Sequence, residues 1–237
     1  MTSTEGAISV KSVTAQLFSR AALLGACLLL LGFGQEDATR NALPGPGPRF
    51  VRPPSPLLAE DFSGDLKQWE PDRPDIWKVT HGMVRADLPD GKQERSFLYA
   101  GSEDWTDYAV DLDMCGMRGV DKGVAFRVQG LTGLAVDLRG PGYQDVVLNR
   151  REWNMGKAPA VNANGTWNHI RVEVRGPRVR VFVNGELKID KTDPHNARPQ
   201  GRIALAGYTG GVGQCTVYYD NVVVSELREE TAERVKR

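Results

Sequence analysis

Between residues 58 and 225, apolar and polar positions trade places almost one for one. In "YAVDLDM" (108–114), Tyr108, Val110, Leu112 and Met114 fall on one side, and Asp111 and Asp113 on the other. "GVAFRVQG" sets Val124, Phe126 and Val128 against Ala125, Arg127 and Gln129. "LAVDLRG" sets Leu134, Val136 and Leu138 against Asp137 and Arg139. Ile170, Val172 and Val174, then Val179, Val181 and Val183, continue the beat around "RGPR", and Asn184-Gly185 turns the chain toward Leu187 and Ile189. A period of two predicts half-buried antiparallel strands, and Asn-Gly supplies the positive φ of a tight hairpin. "GRIALAGY" and "CTVYYDNVVV" add two more strands, and no segment has the period of an amphipathic helix. Trp167 opens a strand, where a large ring is expected to cap the core.

Many short strands with one apolar side each must bury those sides against one another, which predicts an all-β two-sheet sandwich over 58–225. About 165 residues suffice for one core. Ahead of it, "NALPGPGPRFVRPPSP" marks 35–57 as an extended linker in which Arg49 and Arg52 are read as solvating charges. Residues 1–34 carry Lys11 and Arg20 before the apolar run "AALLGACLLLLGF". The run is shorter than the roughly 20 residues of a spanning helix and has the form of an export signal. A signal cut after Gly34 or Ala38, a retained membrane anchor and a lipoprotein acylated on Cys27 all fit it. Each predicts an exported domain in the periplasm, at the cell surface or secreted, touching a membrane only through that segment. Residues 226–237 form a charged tail.

Composition removes some functions and adds one question. Thirty basic and 30 acidic side chains balance, which argues against a nucleic-acid partner held through phosphates. Outside the leader only Cys115 and Cys215 remain, either a disulfide in an oxidising compartment or two buried thiols. "GYTGGVG" precedes a strand rather than a helix and is no phosphate loop; its Tyr208 either lines a rim loop or packs within the loop. The pattern carries no signal for oligomeric state.

The order "DFSGDLKQW", "WKVTHGMVRAD", "DYAVDLDM", "KGVAFRV", "GTWNHIRVEVRGPRVRVFVNGEL", "GRIALAGYTG", "VYYDNVVV" resembles the concanavalin-A-like (laminin-G-like) jelly rolls of exported bacterial proteins. Over 58–225 it is most similar to the family named for 3-keto-disaccharide hydrolase and 3-keto-glucoside lyase activity. The family strand "SG(I/V)xxR" corresponds to "KGVAFR", keeping Gly123 and Arg127. Its "EVQxxD" strand corresponds to "GLAVDLRG", with Ala135 in place of Glu, Asp137 in place of Gln and Gly140 in place of the closing Asp. The resemblance implies a glycan or small sugar as partner and calcium as the metal such modules can hold, with Asp61, Asp65 and Asp220 as oxygen donors. The spaced "ExDxxE" carboxylates of other enzymes on this fold are absent, so two-carboxylate hydrolysis is not expected.

Strand parity then nominates a sugar face. Arg127, Gln129, Asp137 and Arg139 share the non-core side of neighbouring strands, followed by Asn149, Arg151 and Trp153 in "VVLNRREW". Planar donors, acceptors and an aromatic ring are what hydroxyls and sugar C–H faces require. For proton abstraction beside a carbonyl, Asp137 is the expected base, Arg127 the expected electrostatic stabiliser and His169 an alternative acid/base. A non-catalytic glycan-binding module and a cell-surface interaction module fit the same pattern.

Overall fold

The computed structural model describes residues 42–45, 55–150 and 153–227. The leader with Cys27, the linker arginines Arg49 and Arg52, Arg151, the Trp153 side chain and the tail from residue 228 lie outside the described residues. Within them there is no helix, and fifteen strands, numbered in chain order, form two antiparallel sheets. The first sheet runs β13 (Glu186–Thr192), β12 (Arg178–Val183), β11 (Trp167–Arg175), β6 (Tyr108–Gly119), β15 (Cys215–Glu226), β4 (Met83–Leu88), β3 (Trp77–Thr80), with β1 (Leu58–Glu60) also paired to β15. The second runs β10 (Trp153–Pro159), β9 (Asp145–Arg150), β8 (Thr132–Arg139), β7 (Asp121–Gln129), β14 (Arg202–Tyr208), β5 (Arg95–Ala100), β2 (Trp69–Pro71).

The alternation read from the chain becomes the core. Val110, Leu112, Val172 and Val181 of the first sheet and Val124, Phe126, Val136, Leu138 and Leu205 of the second belong to one buried cluster. Burying such side chains is worth roughly 1.5–3 kcal/mol each, the main force holding the layers together. Tyr219 crosses the core from β15, and its hydroxyl lies 2.9 Å from the Gly123 carbonyl and 2.6 Å from that of Ala206. A buried hydroxyl costs little once it is hydrogen-bonded.

Strand β7 departs from strict alternation. Its pairing with β8 slips between Phe126 and Gln129, and Arg127 takes φ +49°. The inserted residue is a β-bulge, which bends a strand and re-aims its side chains. Past it Val128 joins Ala125 on the outer side, whereas plain alternation predicts it in the core. Arg127 is only 1% exposed and leaves the outer side on which strand parity had placed it. Its guanidinium donates to the carbonyls of Thr106 (3.1 Å), Gly176 (2.5 Å) and Arg198 (3.1 Å), and pairs with Asp107 at 3.2 Å. It fastens one end of the sandwich and is not placed to stabilise charge on a ligand.

Other expectations change for equally local reasons. Cys115 and Cys215 are buried free thiols. Cys115 pairs across with Tyr218, three positions along β15 from Cys215, about 10 Å of strand and beyond disulfide reach. Trp167 has the outward parity of β11; it is half-buried, and its indole donates to the Gly45 carbonyl rather than capping the core. The outer side of the first sheet hides two carboxylates. Asp111 and Asp113 are 1% and 0% exposed and meet His169 at 3.3 and 2.8 Å, while Arg171 also holds Asp111. Burial alone would lower the His169 pKa, but its hydrogen bonds to the Asp111 and Asp113 carboxylates override it and raise it to about 9.

Replacing Arg127 by Met is expected to cost about 3 kcal/mol or more, because several buried carbonyls lose their donor; urea denaturation measures it. For His169, whose folded pKa is raised, the stabilising contribution is complete below its unfolded value and lost as pH rises through about 9. The urea midpoint of His169→Gln should therefore approach that of the wild type at pH 10 and fall short of it at pH 6.

Candidate functional site

The outer side of the second sheet holds a trough of about 640 Å³, within the size range of small-ligand sites. Its floor is small because its residues are small. Gly123 pairs with Asp137, Ala125 with Ala135, and Ala204 and Ala206 continue the same rows on β14. Gly123 has no alternative, since a Cβ there would come within 1.9 Å of the Val136 carbonyl oxygen. Phe97 and Tyr99 of β5 and Tyr208 of β14 line one side, with the two β5 rings 5.9 Å apart. Asp137, Arg139, Asn149 and Asn154 line the other. An aromatic wall facing a polar one across a floor of alanine and glycine accepts a ligand with one apolar and one hydroxyl-bearing face.

The charges on this face are held unequally. Arg139 donates to both oxygens of Asp145 at 2.7 Å, a fork that spends much of its donor capacity. Asp137 accepts one hydrogen bond, from the Asn149 amide at 3.1 Å. Burial lifts the Asp137 pKa to about 6, and the charge of Asp121 adds to the rise, against the pull of Asn149 and Arg139. Asp121 stands one diagonal step away across β7 and β8, and burial raises its pKa as well. No hydrogen bond reaches the Asp121 carboxylate among the described residues. Arg95 stacks on the Tyr208 ring at 4.8 Å and has no carboxylate partner among the described residues.

Of the residues nominated by strand parity, Asp137, Arg139 and Asn149 come together in the trough. Gln129 is exposed at the β7–β8 turn and does not line it. Arg127 is diverted by its bulge, and His169 lies on the other sheet. Asp61 bonds to Ser63, Asp65 pairs with Lys67 at 2.8 Å, and Asp220 accepts from the backbone of Asn221. These three do not fit a calcium site, and among the described residues no group of three His, Cys, Asp or Glu side chains is placed to hold a metal. Sequence reasoning missed Arg95, Phe97, Tyr99, Asp121 and Asn154, and of its two readings of Tyr208 the lining one is found. The period-two run "RSFLYA" was the available signal, but it is apolar on both sides and does not say which side faces out.

Comparisons with known proteins agree with this architecture. A family model described as a 3-keto-alpha-glucoside-1,2-lyase-like domain matches residues 59–225. No curated protein matches the chain. Among solved structures, the carbohydrate-binding module CBM66 from Bacillus subtilis is similar at TM-score 0.58 and 16% identity, covering 67% of this chain and 96% of its own. A Bacillus subtilis protein of unknown function with a galectin-like fold gives 0.57 at 9% identity, over 73% and 96%. The apo Crh5 transglycosylase gives 0.57 at 14%, over 72% and 84%. At such identities these likenesses show the fold alone: a galectin- and concanavalin-like jelly roll.

The raised Asp137 pKa makes a stability statement. Folding favours the protonated acid, so that contribution is complete below the unfolded value near 3.8 and lost as pH rises through about 6. Asp137→Asn is expected to be more stable than the wild type at pH 7.5, by about 1–2 kcal/mol after discounting for partial exposure. The gain should vanish at pH 3; paired thermal melts at the two pH values check it.

Proposed function

Because the chain belongs to the 3-keto-alpha-glucoside-1,2-lyase-like family, we propose that its trough takes a glycoside oxidised at C3 and that Asp137 begins its cleavage. The observation that carries this reading is a half-buried carboxylate whose pKa, about 6, lies near neutrality, set between an aromatic wall and a small floor. A base is most effective when its pKa lies near the working pH. Asp137 takes the proton from C2, which the neighbouring carbonyl makes acidic. The C–H electron pair moves onto the carbonyl oxygen, then returns to form the C1–C2 double bond as the C1–O bond breaks. The departing oxygen takes up a proton, and addition of water to the enone completes a hydrolysis. The oxyanion needs a cation, and Arg95 is a guanidinium on this face with no carboxylate partner among the described residues. The leader pattern supports an exported setting for this reaction.

A second reading, glycan binding without turnover, is favoured by one observation. Ala135 stands on the trough floor where the family strand carries Glu, and its cross-strand neighbour on β9 is Asn149.

Incubation with 3-keto-trehalose separates the two. Wild-type protein is expected to consume it, Asp137→Ala to lose at least a hundredfold in rate, and Arg95→Ala about tenfold, the scale on which a positioned base or donor acts. Binding without consumption favours the second reading. Full consumption by Asp137→Ala, or neither binding nor consumption by the wild type, contradicts the proposal.

A further inference from the structure

The trough changes character along its length. The charged side chains that line it among the described residues are Arg95, Asp121, Asp137 and Arg139. Strand register gathers them at one end. Tyr208 pairs with both Asp121 and Arg95, Arg139 pairs with Asp145, and Asp137 pairs with Gly123. On the other side of the Gly123–Asp137 pair the next level is Ala125 opposite Ala135, continued by Ala204 and Tyr99. Val128 and Gly133 follow, and Leu131 of the β7–β8 turn closes the row. Tyr99, Ala125, Val128 and Ala204 make an apolar cluster of their own, apart from the core, with Phe97 and Ala135 packed against it. Val128 joins it because the bulge at Arg127 turns it outward.

Apolar side chains on the outer side of a sheet gain little from folding; they gain when something apolar covers them. Leu131 lines the trough yet is 90% exposed. The polar groups around this end are largely engaged elsewhere. The Thr132 hydroxyl donates to the Gln129 carbonyl at 3.3 Å, and the Asn149 amide donates to Asp137. Arg202 backs the Tyr99 ring at 4.7 Å and pairs with Glu70 at 2.7 Å. Asn154 borders the same level from β10, across from Asn149. A hydroxylated ring laid over the alanines would give up water for few new hydrogen bonds, whereas an apolar group would give up none.

Ala135 lies two residues from Asp137 on β8, about 7 Å along the strand. A group joined to a sugar over Asp137 can therefore rest on Ala125 and Ala135. We propose that the end of the trough at the β7–β8 turn is the subsite for the group carried on C1 of the glycoside, and that this group is an apolar aglycone, aryl or alkyl, rather than a second sugar. The inference rests on the sugar reading of the trough and adds to it the class of glycoside selected.

Calorimetry tests it with methyl 3-keto-glucoside, phenyl 3-keto-glucoside and 3-keto-trehalose, on an Asp137→Asn background so that no probe is consumed. The phenyl glycoside should bind about tenfold more tightly than the methyl glycoside, the scale of burying part of an aromatic ring, and 3-keto-trehalose should bind about as weakly as the methyl glycoside. Leu131→Ser should cut the phenyl-over-methyl ratio about threefold; the residue is exposed, so its thermal melt should not move. Ala135→Gln, which lays a polar chain over the floor, should bring the ratio close to one. A phenyl glycoside no tighter than the methyl one, a 3-keto-trehalose that binds tightest, or a ratio that neither substitution lowers overturns the apolar subsite and leaves the trough reading standing. Failure of all three probes to bind overturns both.

Discussion

Two sheets share one dry core because their strands turn apolar sides inward, and β7 holds to that rule only up to one extra residue. Arg127 is that residue. Strict alternation would send Val128 inward, whereas it packs on the outer side with Ala125. Bulging at Arg127 shifts the parity, and the displaced guanidinium finds carbonyls from three separate segments around Thr106, Gly176 and Arg198. The core, the end of the sandwich and the shape of the outer side are thereby coupled through one buried cation, whose removal would orphan the groups it satisfies.

The trough follows from the same construction. Its depth comes from glycine and alanine on the three central strands. Its chemistry comes from flanking strands whose outward positions are larger, with aromatic rings on β5 and amides and charges on β8 to β10. Burying a carboxylate with one hydrogen-bond donor is unfavourable for the ionised form, and at Asp137 this shows as a raised pKa. Asp145, by contrast, holds both of its oxygens against Arg139. Two aspartates on one sheet therefore have opposite characters: one closes an ion pair and supports a loop, while the other keeps a raised pKa.

The fold was legible wherever alternation was unbroken, as in the runs of Val110 to Met114, Leu134 to Leu138 and Ile170 to Val183. Those same runs placed Asp137, Arg139 and Asn149 on one side. Legibility failed where tertiary partners overrule the local period. Nothing near Arg127 in the chain announces the carbonyls that draw it inward, since they come from segments 21 to 71 positions away. The aromatic wall was hidden because "RSFLYA" offers apolar side chains to both faces, so parity alone does not assign Phe97 and Tyr99 outward. The two cysteines were read from compartment chemistry, which knows nothing of the β6–β15 register that keeps them apart.

That Asp137 is a ligand-facing carboxylate destabilised by its burial is open to one direct observation. Carbon-13 NMR of the Asp137 side-chain carboxyl, titrated with and without 3-keto-trehalose, should give a midpoint near 6 that moves when the sugar is present. A midpoint close to the ordinary 3.8, indifferent to the sugar, would contradict it.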